Sequence, residues 1–331
     1  MHRRIIASVL LVLVMSGMFI TSANAESTSP PAAASVTSST SSSSSTDDSS
    51  LAQAESEMNV WKAFVLGAVE GITEFLPISS TGHLVVTQRW LGIGTNDATK
   101  DAADSYAIAI QFGAILAILL LYRRRILSIM KGIVGKDEQG RSLFLSLLVA
   151  FLPAVVIGVA FEKPIKDNLL GVGPVIAAWI VGGVVLLVLA PKIRASRPGF
   201  SITEMSLRSA LIIGLAQVVA MWPGTSRSLV TILAALAVGA TLAAAVEFSF
   251  LLGLITLGAA TLYETAKNGS TMIDAYGWFT PLVGLIAAFV FAALAVKWMV
   301  TWLQTRSLAI FGIERIAAAA LAIVLVATSV I

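Results

Sequence analysis

The sequence has no cysteine, only two histidines and few charged residues. The absence of cysteine excludes disulfide bonds, thiolate metal sites and a cysteine nucleophile. His2 lies at the extreme N-terminus, so His83 is the only imidazole in the body of the chain. Charged residues make up 12% of the 331 positions, whereas 57% are hydrophobic. Together with a mean hydropathy of +0.88, this balance predicts an all-α polytopic membrane protein.

The net charge of +3 does not indicate a nucleic-acid partner, because the basic residues concentrate in short segments between apolar runs. Residues 1–25 combine Arg3 and Arg4 with an apolar run and small residues ending at Ala25. This pattern is typical of a cleaved signal peptide, with an uncleaved membrane anchor as the alternative. Residues 26–57 are rich in Ser, Thr, Pro and Ala and predict a disordered linker. A membrane domain over residues 58–331 follows.

Apolar runs of two kinds make up this domain. Six are long enough to span a membrane, namely residues 106–122, 142–161, 172–190, 242–263, 277–303 and 308–331. Two others, residues 60–91 and 207–239, are each interrupted by a polar motif containing proline, and each half is too short to cross. We predict that these two form re-entrant helical hairpins whose irregular backbone lines a polar cavity.

The number and order of hairpins and spans predict an internal duplication, with repeat one over residues 60–190 and repeat two over residues 206–331. Each repeat has one hairpin and three spans, and an odd number of crossings inverts the second repeat relative to the first. A constant offset relates four pairs of positions: Gly67 and Gly214, Glu70 and Gln217, Ser79 and Ser226, Thr81 and Ser228. The two hairpins should therefore meet near the membrane midplane.

The first interruption, residues 67–83, places two carboxylates in an apolar segment. Glu70 and Glu74 are four residues apart, so they share one helix face, where like charges repel. The pair becomes tolerable if one acid is protonated or if a divalent cation, Mg²⁺ or Ca²⁺, lies between them. Pro77 should end this helix.

A second helix can begin directly after Pro77. Ser79, Ser80 and Thr81 are each good N-caps. The free backbone N–H groups at such a helix N-terminus bind anions. A cation held by the acids and an anion at the helix end together suggest a phosphate ligand.

The second interruption, residues 222–231, adds a positive charge. Arg227 in an apolar hairpin needs an anionic partner, and its planar fork suits a phosphate group. Three hydroxyls could donate further hydrogen bonds to the same ligand: Ser226, Ser228 and Thr231. The alternative is that Arg227 pairs with a glutamate of the chain (Glu70, Glu74 or Glu247) and only fixes packing.

The motifs VEGITEFLPISSTGH and WPGTSRSLVT, with AVEFSFLLG at residues 245–253, resemble the undecaprenyl-diphosphate phosphatase family, also known as bacitracin-resistance phosphatases. The likeness covers roughly residues 60–331. It implies a multi-pass enzyme of the bacterial plasma membrane that hydrolyses a polyprenyl diphosphate with a divalent cation, its active site facing the periplasm. The family's functional side chains fall here on Glu70, Glu74, Ser80, His83 and Arg227.

Several roles stay open at this point. Ser80 could attack phosphorus with His83 as base, His83 could itself be phosphorylated, or metal-bound water could attack. We expect Glu247 to form a structural ion pair, and Glu314 and Arg315 to form another. A lipid flippase or secondary transporter is the competing function, because such proteins also use inverted repeats with broken helices. The oligomeric state, including a homodimer, is likewise open.

The predicted topology can be tested cheaply because the chain lacks cysteine. Basic residues mark 123–141 as a cytoplasmic segment and leave residues 162–168 outside. Single cysteines in 123–141 should resist an impermeant thiol reagent in intact cells, whereas cysteines in 162–168 should react. The opposite labelling pattern would reverse the orientation.

Overall fold

The computed structural model describes residues 57–94, 97–169, 171–193 and 195–331, without the side chains of 97, 98 and 162–168. The predicted signal segment and residues 26–56 of the predicted linker lie outside the described residues. Eleven α-helices lie within those ranges: α1 Val60–Thr73, α2 Ser80–Leu91, α3 Asp97–Leu121, α4 Arg123–Ile133, α5 Glu138–Leu169, α6 Val172–Leu189, α7 Leu207–Gln217, α8 Arg227–Ala237, α9 Leu242–Tyr276, α10 Phe279–Thr305 and α11 Ala309–Ala327.

Six of these helices, α3, α5, α6, α9, α10 and α11, are long and apolar enough to cross a membrane. This confirms the predicted fold class and the predicted number of spans. Two helices extend beyond the apolar runs. Helix α9 continues to Tyr276, and α5 reaches Leu169 after a local departure from helical backbone at Phe161. Hydropathy marks where a helix leaves the apolar layer, whereas the helix itself continues while its backbone bonds are satisfied.

The basic segment 123–141, which we expected as a loop, contains helix α4 and the turn that packs it against α5. Asp137 closes this turn by accepting hydrogen bonds from the Ser128 hydroxyl at 2.6 Å and the Gly140 N–H at 2.9 Å. These bonds, that of Ser128 foremost, hold the pKa of Asp137 below its ordinary value.

The two interrupted segments each fold as a pair of short helices. Helices α1 and α2 have 14 and 12 residues, and α7 and α8 have 11 each. At about 1.5 Å per residue, none approaches the roughly 30 Å of a bilayer core. Nine of the residues of α8 are buried, so this helix lies inside the bundle rather than against lipid. These features are consistent with the predicted re-entrant hairpins.

The packing of the helices follows the predicted duplication. Helix α1 of repeat one packs on α10, the second span of repeat two, and its counterpart α7 packs on α5, the second long span of repeat one. Helix α3 of repeat one corresponds to α9 of repeat two, and α6 corresponds to α11. Each of these helices packs on its own counterpart, so both contacts are unchanged when the two repeats are exchanged. The internal likeness that four sequence matches suggested is therefore present in the contacts.

Two equivalent glycines allow this packing. A Cβ added at Gly67 would overlap the carbonyl oxygen of Gly284 on α10, and one added at Gly214 would overlap that of Ala150 on α5. Both glycines thus let a short helix lie against the backbone of a span from the other repeat.

Alanine at either glycine should destabilise the protein by about 1–3 kcal/mol through overpacking. Gly258 on α9 is the matched control, because a Cβ there meets no atom within 4 Å. Gly258→Ala should leave stability unchanged or raise it by about 1 kcal/mol, since alanine favours helix. Thermal unfolding in detergent measures all three variants. Equal stability of the three variants would contradict the close approach of α1 to α10 and of α7 to α5.

Candidate functional site

The segments between α1 and α2 (the first break, residues 74–79) and between α7 and α8 (the second break, residues 218–226) have the same local geometry where they end. Ser79 has φ 77° and ψ 101°, and Ser226 has φ 74° and ψ 110°, a region that L-residues rarely adopt. Each serine is the N-cap of the helix that follows, and its hydroxyl accepts a hydrogen bond from the backbone N–H three residues later. Ser79 and Ser226 therefore begin α2 and α8 in the same way, as their matched sequence positions predict.

Side chains from other elements satisfy the carbonyl groups that the first break exposes. The Ser228 hydroxyl donates to the carbonyl of Leu76 at 2.8 Å, and the Trp179 indole N–H donates to that of Ile78 at 3.0 Å. The guanidinium of Arg315 points at the carbonyl of Pro77, between the other two, at 3.5 Å. Each of the three consecutive carbonyls at this break thus has a donor from elsewhere in the fold.

Arg315 also joins the first break to the second. It is fully buried and donates from Nη2 to the carbonyl of Ala178 at 2.8 Å and to that of Gly224 at 2.7 Å. The expected ion pair between Glu314 and Arg315 is therefore wrong. Arg315 bonds the backbone carbonyls of Ala178 and Gly224 instead, and Glu314 bonds a different residue.

The side chains of Ser80, Glu74 and Arg227 form a hydrogen-bonded triad between the two breaks. Arg227 donates from Nη2 to Oε1 of Glu74 at 2.8 Å, and the Ser80 hydroxyl donates to Oε2 of the same carboxylate. A second guanidinium nitrogen of Arg227 donates to the Ser249 carbonyl at 3.0 Å. The Phe75 ring lies 5.2 Å from the guanidinium carbon, within range of a cation–π contact. Both oxygens of Glu74 are thus engaged.

Glu70 lies one helical turn before Glu74, and its hydrogen bonding differs from that of Glu74. The residue is 1% exposed, and neither of its carboxylate oxygens has a hydrogen-bond partner among the described residues. Its electrostatic neighbours are Glu74 and Arg227. Gln217, which matches Glu70 in repeat two, carries no charge. The acidic feature therefore belongs to repeat one alone.

A divalent cation fits the free oxygens of Glu70. Mg²⁺ is commonly held by one or two carboxylates, with substrate phosphates and water completing its shell. No group of three histidines, aspartates or glutamates converges among the described residues. A cation at Glu70 and Glu74 would therefore take its other ligands from substrate and solvent.

The predicted hydroxyls fall into two groups. The hydroxyls of Ser226 and Ser228 lie 3.0 Å apart, and that of Thr231 lies 2.7 Å from the Ser249 hydroxyl. These three residues are buried and already bonded to protein groups. Thr81 is exposed in the first turn of α2. The structure thus joins Ser80 to Arg227 of the second break through Glu74, joins Ser228 to the Leu76 carbonyl of the first break, and leaves Thr81 exposed.

His83 forms its hydrogen bonds with residues other than Ser80. Its Nδ1 lies 2.7 Å from the Ser79 carbonyl oxygen, and its Nε2 lies 2.8 Å from Oε1 of Glu314. The ring packs against Trp179 with centroids 4.7 Å apart. Sequence reasoning had assigned Glu314 a structural role, because its partner is 231 positions away and no local pattern indicates it.

An open cavity of about 550 Å³ lies beside these residues. Its walls are apolar and come from α1, the first break, α10 and α11, with His83 and Glu314 as its only charged or titratable lining residues. Glu247, on α9, pairs with Arg125 at 2.7 Å. The expected structural ion pair of Glu247 is therefore present.

The arrangement combines a hydroxyl bonded to a carboxylate, a guanidinium and two helix N-termini. A carboxylate that accepts a hydrogen bond from a hydroxyl can take its proton as the oxygen attacks phosphorus. A guanidinium and helix N-termini stabilise negative charge that grows on phosphoryl oxygens. The geometry therefore suits phosphoryl transfer.

Comparisons with known proteins point the same way. The family model described as "Bacitracin resistance protein BacA" matches residues 63–321. A Sorangium cellulosum protein named "Undecaprenyl-diphosphatase" is 44% identical over 263 residues, which cover 78% of this chain and 84% of the relative. An "Undecaprenyl-diphosphatase 1" of Chromobacterium violaceum is 44% identical over 259 residues, covering 78% and 93%. A Deinococcus deserti "Undecaprenyl-diphosphatase" is 39% identical over 271 residues, covering 81% and 96%.

Proposed function

Since this chain belongs to the family of bacitracin resistance protein BacA, we propose that it hydrolyses undecaprenyl diphosphate to undecaprenyl phosphate and inorganic phosphate. This activity recycles the lipid carrier of peptidoglycan and other cell-wall polymers. We therefore expect the protein to confer bacitracin resistance. The observation that carries the proposal is the hydrogen bond from Ser80 to Glu74, at the start of α2 and beside Arg227.

Ser80 is the proposed nucleophile. Its oxygen bonds to the terminal phosphorus, the bond from that phosphorus to the undecaprenyl phosphate oxygen breaks, and the hydroxyl proton passes to Glu74. Water then attacks the phosphoserine, the serine oxygen regains the proton from Glu74, and the water's proton leaves with the released phosphate. Ser80 has its hydrogen bond to Glu74 and none to His83, which supports Glu74 as the base.

Arg227 and the two helix N-termini supply the positive field for this reaction. The fork of Arg227 already holds Glu74, so it orients the base while a remaining N–H faces the phosphate. The Ser79 and Ser226 hydroxyls cap α2 and α8 and keep the free N–H groups of those helix ends in place. The substrate-binding roles proposed for Ser79, Thr81, Ser226, Ser228 and Thr231 remain predictions.

Glu70 is the proposed principal ligand of a divalent cation, Mg²⁺ or Ca²⁺, with Glu74 beside it. Its two buried oxygens lack a partner among the described residues, which supports this role. When bound, the cation neutralises charge on the diphosphate oxygens.

The substrate class fits the setting, because a polyprenyl diphosphate places its headgroup and its apolar chain in the same membrane as the six spans. We further propose that the protein resides in the bacterial plasma membrane with the breaks opening toward the periplasm. The homodimer that the sequence leaves open stays a prediction.

The proposed reaction can be tested with purified protein in detergent. Wild-type protein should release inorganic phosphate from undecaprenyl diphosphate, and Ser80→Ala should lower kcat by about a thousandfold or more if Ser80 is the nucleophile. Ser105→Ala is the control, since it removes another buried hydroxyl on α3. If the reconstituted wild-type protein moves the lipid between leaflets yet releases no phosphate, the proposed phosphatase function is wrong and the transporter function replaces it.

The role of the cation gives a separate expectation. Chelation should abolish turnover, and Glu70→Gln should raise the concentration of Mg²⁺ or Ca²⁺ needed for half-maximal activity by about tenfold, because a neutral amide is a weaker ligand. Glu247→Gln serves as the control, because it removes the same charge from a glutamate that pairs with Arg125, a residue of neither break. Activity that is indifferent to a chelator would exclude the metal role and favour a proton shared by Glu70 and Glu74.

A further inference from the structure

The ring of His83 lies between two oxygen acceptors. The Ser79 carbonyl oxygen, 2.7 Å from Nδ1, can only accept a hydrogen bond, so Nδ1 carries a hydrogen. A neutral ring with that hydrogen has a lone pair at Nε2, and a lone pair cannot bond to an ionised carboxylate. The 2.8 Å separation between Nε2 and Oε1 of Glu314 therefore requires one further proton. A ring that carries a hydrogen on both nitrogens donates one hydrogen bond to the Ser79 carbonyl and one to the Glu314 carboxylate, and so satisfies both contacts.

The surroundings hold this pair in place. Trp179 covers one face of the ring, and its indole is itself fixed by the Ile78 carbonyl. The second oxygen of Glu314 is buried and has no partner among the described residues. Arg315 is a further charged neighbour of Glu314, but its hydrogen bonds go to backbone carbonyls instead.

The pair also lies where a ligand can reach it. His83 and Glu314 line the polar part of the 550 Å³ cavity, whose remaining walls are almost entirely apolar. The side chains of His83 and Glu314 are 19% and 35% exposed, so a ligand in the cavity can reach both. On helix α2, His83 lies one turn after Ser80, on the same side of the helix.

We propose that Glu314 is a positioning residue that holds His83 as an imidazolium, so that His83 serves the site as a fixed positive charge and hydrogen-bond donor. In this role His83 is neither the base for Ser80 nor a phosphorylated nucleophile. The part of the proposal that concerns turnover rests on the proposed phosphatase function, whereas the protonation of His83 stands on the geometry alone.

The composition of the chain gives a direct test of the protonation. His2 and His83 are the only histidines, so full-length His2→Gln protein without a polyhistidine tag contains a single imidazole. With ¹⁵N-labelled histidine at pH 7, both ring nitrogens of His83 should show the chemical shift of protonated imidazole. In Glu314→Gln, Nε2 should move to the shift of an unprotonated nitrogen, because an amide can donate to Nε2 but provides no negative charge.

Glu247→Gln is the matched control and should leave the spectrum unchanged, because it removes the same charge from a different ion pair. A wild-type spectrum with an unprotonated Nε2 overturns the proposal, and it does so even if Glu314→Gln fails to fold. A protonated Nε2 that persists in a folded Glu314→Gln variant also overturns it, since Glu314 then does not hold the proton.

Kinetics test the positioning role. Glu314→Gln should lower kcat by about 10- to 1,000-fold with little change in KM, because a charge that stabilises the transition state contributes more to chemistry than to ground-state binding. Glu314→Asp, which keeps the carboxylate, should recover part of kcat. If the spectra behave as expected but kcat is unchanged, Glu314 does not serve the reaction. If wild-type protein releases no phosphate, the proposed function fails while the spectra still decide the protonation.

Discussion

Broken helices within a membrane protein leave backbone carbonyls that water cannot reach, and this constraint shapes the centre of the molecule. A buried carbonyl without a donor costs about 1–3 kcal/mol. At the first break, three consecutive carbonyls receive hydrogen bonds from Ser228, Arg315 and Trp179, which belong to three other elements. Arg315 also bonds the Gly224 carbonyl of the second break. The groups that satisfy the backbone therefore also fix the position of one break relative to the other.

The same breaks store backbone strain. Ser79 and Ser226 adopt a positive φ that costs about 1–3 kcal/mol in each residue, and such residues persist only where their surroundings hold them. The strain places Ser80 and Arg227 directly after the two caps, on either side of Glu74. The Ser80 hydroxyl, the Glu74 carboxylate and the Arg227 guanidinium are thereby held together before any substrate binds. This is the preorganisation that phosphoryl transfer requires.

Three glutamates in this region have different partners and, in our proposals, different roles. Glu74 bonds Ser80 and Arg227 and serves as base. Glu70 has no hydrogen-bond partner among the described residues and is free to bind a cation. Glu314 bonds His83 and maintains its charge. Environment rather than residue type separates these roles, as in other enzymes that use several carboxylates.

Local patterns in the sequence were sufficient for the architecture. Hydropathy identified the six spans. Pro77 and the N-cap residue Ser79 located the first break. Both features depend only on residues that are close in sequence. The matched positions Ser79 and Ser226 even anticipated a shared conformation. Helices α5 and α9 continue beyond the predicted apolar runs, since a helix extends past the apolar layer that hydropathy detects.

The partners within the site were decided by the tertiary structure alone. Glu70 and Glu74 look alike in sequence, yet only the fold brings Arg227 and Ser80 to one of them and leaves the other without a hydrogen bond from any described residue. Glu314 was assigned to its neighbour Arg315, whereas it bonds His83, 231 positions away. The Arg227–Glu74 and Glu314–His83 contacts join residues from opposite halves of the chain. No local periodicity encodes them, because they exist only once the two repeats have packed together.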